Sequence, residues 1–111
     1  KHTALVLAGL LATSSMASAQ EVLADPNGMT LYTFDDDTGV STCYDECAVN
    51  WPPYLAKAGE KMGEGWTATK RKDGAMQWAY DGKPVYFFKG DTAKGDKKGD
   101  GLKGVWHIIV E

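Results

Sequence analysis

A mainly β fold is predicted for this chain: one small antiparallel domain, α+β at most, assembled from two internal repeats and carrying one short disulfide-braced helix. Three observations predict it. First, Gly28-Met-Thr-Leu-Tyr32-Thr-Phe34-Asp-Asp-Asp37-Thr38 returns fifty-four positions later as Gly82-Lys-Pro-Val-Tyr86-Phe-Phe88-Lys-Gly-Asp91-Thr92. Gly, an aliphatic residue, Tyr, Phe, Asp and Thr recur in one register, which marks a duplicated structural unit. Second, each copy is entered through a tight-turn pair, Asn27-Gly28 and Asp81-Gly82. Such pairs adopt left-handed backbone cheaply and join antiparallel strands. Third, Cys43 and Cys47 stand four apart, so on a helical turn they share one face with Cα atoms about 6 Å apart, within disulfide reach.

Residues 1–19 read as a secretory signal peptide: a basic start, an apolar run from Ala4 to Ala12, and Ala17-Ser18-Ala19 as the cleavage signal. The apolar run is too short to span a bilayer, which takes about 20 residues. The remaining chain, 20–111, is expected to be one domain, with repeat 1 over about 21–53 and repeat 2 over about 75–110. Glu21 to Asp25 leads through Pro26-Asn27-Gly28 into a return strand, Met29 to Phe34. Thr42 and Asp45 suggest a helix start and Pro52-Pro53 its end, which places a helix over Cys43 to Asn50. Tyr54 to Lys61 also reads as helical. Alternation over 66–71, 75–80 and 83–88 predicts a three-strand meander. Pro84 cannot donate to a ladder and therefore belongs on an edge or points outward. Lys89 to Gly104, with five Lys, three Asp and five Gly, reads as a mobile polar connection. Val105 to Val110 is apolar almost throughout, as expected of a strand covered on both faces.

Charge and composition exclude several function classes. Without Lys1 the chain has eleven Lys and Arg against fifteen Asp and Glu, a net charge of −4. Residues 20–56 hold seven acids and no base, and 57–111 hold eleven bases and eight acids. Neither half carries the basic stripe of a nucleic-acid binder. Beyond residue 19 there is one His (His107), one Ser (Ser41) and one Arg (Arg71). A hydrolytic triad could therefore form in only one way, around Ser41 and His107. In an oxidising compartment the even cysteine pair reads first as a disulfide.

Metal chemistry has thin material, and no cofactor is expected. Asp35-Asp36-Asp37 and the spaced Asp91, Asp96 and Asp100 suggest calcium, yet they lack the alternate-position acids of an EF-hand loop and the second run is interleaved with lysines. Zinc would need Cys43, Cys47, His107 and an acid. Copper would need the two thiols with one of Met29, Met62 and Met76. The four Trp, five Tyr and three Phe serve either as core or as flat exposed platforms that stack on sugars. Trp51 and Trp106 follow the motif tyrosines by nineteen and twenty residues, so each repeat is expected to end by packing one indole.

Tyr32-x-Phe34-x-x-Asp37 and Tyr86-x-Phe88-x-x-Asp91, with Cys43-x-x-x-Cys47-x-x-x-Trp51-Pro52-Pro53 after the first and Gly104-Val-Trp106 after the second, resemble the bacterial secreted-repeat lipoprotein family defined by a Tyr-x-(Phe/Trp/Tyr)-x-x-Asp motif. The resemblance spans Val22 to Val110. It implies an exported two-repeat envelope protein of a family whose biochemical role is not established. Many members are lipid-anchored. This chain has no Cys at the cleavage site, so no stable membrane anchor is expected after signal cleavage.

The function expected is a non-enzymatic binding module, periplasmic or secreted and monomeric, whose partner is an envelope protein or a small ligand. Its candidate ligand site is the pair of repeat motifs: Tyr32, Phe34, Asp37, Tyr86, Phe88 and Asp91. Trp51 and Trp106 are expected to be structural. Two alternatives stand beside it: a redox or copper-type protein using Cys43 and Cys47, and a carbohydrate-binding module using exposed aromatics.

Overall fold

The computed structural model of the chain describes residues 21–111; the expected signal peptide lies outside them. In order, the elements are β1 (Tyr32–Phe34), α1 (Glu46–Asn50), β2 (Trp66–Lys70), β3 (Met76–Tyr80), β4 (Lys83–Pro84), a 3-10 turn (Leu102–Gly104) and β5 (Trp106–Ile108). All ladders are antiparallel. One sheet pairs β1 with β5, and the other runs β2-β3-β4.

The two repeats fold alike, and their hydrogen bonds come in matched pairs. At the centre, the Tyr32 N–H donates to the Tyr86 carbonyl at 2.8 Å and the Tyr86 N–H returns to the Tyr32 carbonyl at 2.9 Å. This reciprocal pair marks an internal pseudo-dyad. Around it, Leu31 donates to Leu23 as Val85 does to Trp78, both at 3.0 Å, and the turn bond from Asp37 to Phe34 (3.1 Å) matches that from Asp91 to Phe88 (3.0 Å). Asn27-Gly28 and Asp81-Gly82 make the expected turns, with φ of 88° at Gly28 and 80° at Gly82, which favour glycine.

The repeats are also interleaved. The end of repeat 2 pairs with the hairpin of repeat 1: Leu23 donates to Ile109 at 2.8 Å and Asp35 to Val105 at 2.8 Å. The end of repeat 1 does the same for repeat 2, with Trp78 donating to Tyr54 at 2.8 Å and Lys89 to Asn50 at 2.8 Å. Each hairpin thus lacks one strand of its own and takes it from the other copy. This exchange explains why Tyr54 to Lys61 is not helical as expected. Tyr54 and Ala56 donate to Val85 and Met76, so the segment is held extended as a sheet partner, and only 58–59 turn.

Other expectations shift for the same reason. The run 83–88 is a ladder only at β4. Val85 then bonds to Trp78 and Tyr54, and Tyr86 crosses to Tyr32. Pro84 does lie on an edge strand, yet it is buried. The last strand is not covered on both faces: Trp106 is buried, His107 to Ile109 are half-buried and Val110 is exposed. The helix starts at Glu46, not Cys43, because Asp45 holds a φ of 56° and a ψ of −123° that no helical turn accommodates; before it, Thr42 gives both its N–H and its hydroxyl to Asp37 Oδ1, at 2.8 and 2.7 Å. The lysine-rich connection is pinned in place. Asp96 accepts the N–H groups of Thr92 and Ala93, Asp100 accepts Ile108, and Gly95 donates to Gly28.

Two apolar clusters hold the molecule. One packs Leu23, Leu31, Trp78 and Val85 with Tyr54, Trp66 and Phe87 against them. The other lies on the pseudo-dyad and joins Tyr32, Cys43, Trp51, Tyr86 and Trp106. There Trp51 and Trp106 stack at 3.7 Å and 2°. Phe34 stacks outside Trp106 at 4.2 Å, and Phe88 outside Trp51 at 4.3 Å. Tyr32 meets Trp51 edge-on and Tyr86 meets Trp106 edge-on, each at 5.3 Å. Such pairs add about 0.5–1.5 kcal/mol each beyond the area they bury. Gly99 fits against this column because a Cβ there would lie 2.6 Å from Trp51 Cη2.

Candidate functional site

The motif residues meet across the repeats. Tyr32 sits on β1 and points inward with 0 % exposure, where its hydroxyl donates to Asp91 Oδ2 at 2.7 Å and accepts the Gly99 N–H at 3.1 Å. The Tyr86 hydroxyl, equally buried, donates to Asp37 Oδ2 at 2.6 Å. Each Asp has a second task in its own loop: Asp37 binds Thr42, and Asp91 accepts the Lys98 N–H at 2.9 Å. The tyrosine of one copy is thereby tied to the loop of the other. Burial first, and then the bond to the partner carboxylate, raise both phenols far above the ordinary tyrosine range. These hydroxyls and carboxylates are satisfied inside the chain, so they face one another and not the exterior. Phe34 and Phe88 are half-buried and pack on the indole column.

Around Tyr86 the polar network continues into a feature the sequence did not single out. Ser41 Oγ lies 2.5 Å from the Tyr86 hydroxyl, and since that phenol donates to Asp37, the serine is the donor. Ser41 in turn accepts from Arg71 Nη1 at 3.0 Å and from the Cys43 N–H. Arg71 is 5 % exposed. It also donates to Gln77 Oε1 at 2.7 Å and to the Cys43 carbonyl at 2.9 Å, and it lies over the Tyr44 ring. Among the described residues no carboxylate pairs with it; hydrogen bonds and a ring face offset its desolvation instead. The only signal in the sequence was its being the sole arginine.

The rival constellations separate. Ser41 belongs to this buried network, while His107 Nε2 lies 2.9 Å from Asp35 Oδ2 on the surface, so the two do not form a hydrolytic pair. Cys43 and Cys47 are joined in a disulfide with Cα atoms 5.2 Å apart, which leaves no thiolate for a copper or zinc set. The acids of Asp35-Asp36-Asp37 go three ways: to His107, to the surface and to Tyr86. Among the described residues no group of three or more His, Cys, Asp or Glu side chains is placed to hold a metal ion, and no helix is long and apolar enough to cross a membrane. Of the twelve aromatic rings none is fully exposed: Tyr32, Trp51, Trp78, Tyr86 and Trp106 are buried and the rest half-buried.

One concavity coincides with the pseudo-dyad. A cleft of about 600 Å³ opens between α1 and the 3-10 turn, with Trp51, Trp106, Phe34 and Cys47 among its lining. The dyad exchanges its parts: Trp51 with Trp106, Cys47 with Leu102, Asn50 with Val105. Its depth is aromatic because both indoles are buried, and its exposed rim carries Asp36 and Glu46 from repeat 1 and Lys103 from repeat 2. A second concavity, of about 470 Å³, lies beside His107, Asp35 and Asp81.

The family model described as a secreted repeat of unknown function matches the chain twice, over residues 17–54 and 67–110. No curated protein and no solved structure matches it. The two matches span well over half of the sequence and fall one on each of the interleaved copies. With its doubled hairpin, its crossed Tyr–Asp ties and its paired indoles, the chain belongs to the family of secreted repeats of unknown function.

Proposed function

We propose that this protein is an exported, non-enzymatic binding module, working in the periplasm or outside the cell, whose small ligand enters the cleft on the pseudo-dyad. The single observation that carries this is the cleft itself, an aromatic-lined concavity with charged groups at its mouth. Small-molecule sites have this composition and a volume of about 300–1,000 Å³. In this arrangement Phe34, Trp51 and Trp106 touch the ligand. Tyr32, Asp37, Tyr86, Phe88 and Asp91 hold those rings in place from behind. The family's description as secreted agrees with an exported module.

The test is a fragment titration followed by amide and indole N–H chemical shifts in the folded chain. Binding fragments are expected to move the Trp51 and Trp106 indole signals and the amides of α1. Shifts confined to the His107 side of the molecule, or none across a broad panel, would overturn the proposal.

A further inference from the structure

The two copies differ at one sheet edge. Residues 21–25 hold in repeat 1 the place that β3 holds in repeat 2: Ala24 lies opposite Thr30 as Ala79 lies opposite Pro84, and Val22 opposite Val110 as Gln77 lies opposite Leu55. Leu23 donates to Ile109 and accepts from Leu31, and Trp78 likewise donates to Tyr54 and accepts from Val85. Neighbouring residues of a strand turn their peptide groups to opposite sides, so those of 22 and 24, and of 77 and 79, point away from these partners. In repeat 2 they meet β2, where Thr69 faces Gln77 and Thr67 faces Ala79. In repeat 1, among the described residues, no strand lies there, and the peptide groups of Val22 and Ala24 have no backbone partner. Burial agrees: Ala79 is 1 % exposed, whereas Ala24 is exposed and Val110, opposite Val22, is 44 % exposed.

β2 is itself the outer strand of its sheet. Thr67 and Thr69 turn toward β3, so Ala68 and Lys70 turn their peptide groups outward, and neither has a further backbone partner among the described residues. The chain thus carries two open edges of five residues each, 21–25 and Trp66–Lys70. We infer that a second copy of the chain fills the edge at 21–25 with the outer edge of its β2, so that copies join head to tail by strand addition. Charge on the strands themselves favours this pairing. Residues 21–25 hold Glu21 and Asp25 and no base, with exposed Glu111 bonded alongside, while β2 holds Lys70 and no acid. Two 21–25 edges joined antiparallel about Leu23 would set Glu21 against Asp25 twice, and like charges directly opposed are destabilising. A lysine on an outer strand deters indiscriminate pairing; an acidic strand is the partner it admits. The inference is independent of the cleft, and it puts an assembly where the sequence led us to expect a monomer.

The test is sedimentation of the purified protein over a concentration series reaching about 1 mM, since contacts between short strands are weak. The average mass is expected to rise along the series. Ala24→Pro and Ala68→Pro each remove an outward N–H and no internal bond, so each variant keeps the fold, which thermal melting verifies, and each raises the dissociation constant about ten-fold or more. Each variant still has its other edge, so an equimolar mixture forms a dimer that grows no further. Lys70→Glu, which leaves the backbone as it is, should also give a monomer. Assembly that survives Ala24→Pro and is lost with Ala68→Pro means that β2 pairs with β2, and overturns the inference. A parent protein that stays monomeric throughout overturns it as well, and slow amide exchange at Val22 and Ala24 then gives the edge to residues of the same chain.

Discussion

Tyr32 should be energetically coupled to Asp91, fifty-nine residues away, and not to Asp37, five residues away in its own motif. In the structure Tyr32 donates to Asp91 at 2.7 Å, and Asp91 also accepts the Lys98 N–H. Asp91→Asn keeps one acceptor and turns the other atom into a donor that must face an O–H or an N–H. A hydrogen bond to a charged group contributes about 1.5–3 kcal/mol. Tyr32→Phe strands the Asp91 oxygen and the buried Gly99 N–H, at about 1–3 kcal/mol. A domain of this size loses about 4–8 °C of melting temperature per kcal/mol, so a single change costing about 2 kcal/mol, the middle of these ranges, is expected to lower it by about 8–16 °C. The assay is a pair of double-mutant cycles by urea unfolding. Tyr32→Phe with Asp91→Asn should fall short of the sum by about 1 kcal/mol or more, whereas Tyr32→Phe with Asp37→Asn should add within about 0.5 kcal/mol. Coupling of Tyr32 to Asp37 and not to Asp91 would refute the crossed arrangement of the repeats.

Three further outcomes are expected. The motif phenols titrate above the ordinary tyrosine value of 10.0 in the folded chain; the unfolded chain therefore ionises first, and the stability they supply is complete below pH 10 and is lost as the pH climbs beyond it, as urea midpoints across pH 8–12 will record. Gly99→Ala drives a methyl to within 2.6 Å of Trp51 and should cost about 1–3 kcal/mol through overpacking, while Gly39→Ala, with open space but φ 96°, should cost less and leave the Trp emission unchanged. Reducing the Cys43–Cys47 bond frees a loop of only four residues' separation, so the loss should be about 2 kcal/mol in the chain-entropy estimate, read as a lower denaturant midpoint with the cooperative transition retained.

Much of the fold was legible because duplication is a sequence-level fact. Gly28 and Gly82 announce turns, Cys43 and Cys47 announce a brace, and Trp51 and Trp106 announce one indole per copy. Each of these signals acts through its own backbone or its near neighbours. The errors fall where the partner is remote. Tyr54 to Lys61 has no local reason to be extended, and it is extended because β3 offers it an open edge. Lys89 to Gly104 has the composition of a mobile loop, and it is ordered because Asp91, Asp96 and Asp100 accept backbone N–H groups across it.

The candidate site divides the same way. The motif Tyr, Phe and Asp residues stand out by repetition, yet repetition is silent on whether a copied tyrosine serves its own copy or the other one. Arg71 carried no signal beyond its rarity, because a buried guanidinium is recognised only by the acceptors gathered round it. From the sequence alone came two copies of one hairpin, their turns, and the disulfide spacing, all set by short-range backbone preferences. Which strand completes which hairpin, and hence that Asp91 answers Tyr32 and a cleft opens over two stacked indoles, was decided only by packing. An exposed strand edge and a buried hydroxyl take whichever partner the folded chain brings within reach, at whatever separation in sequence.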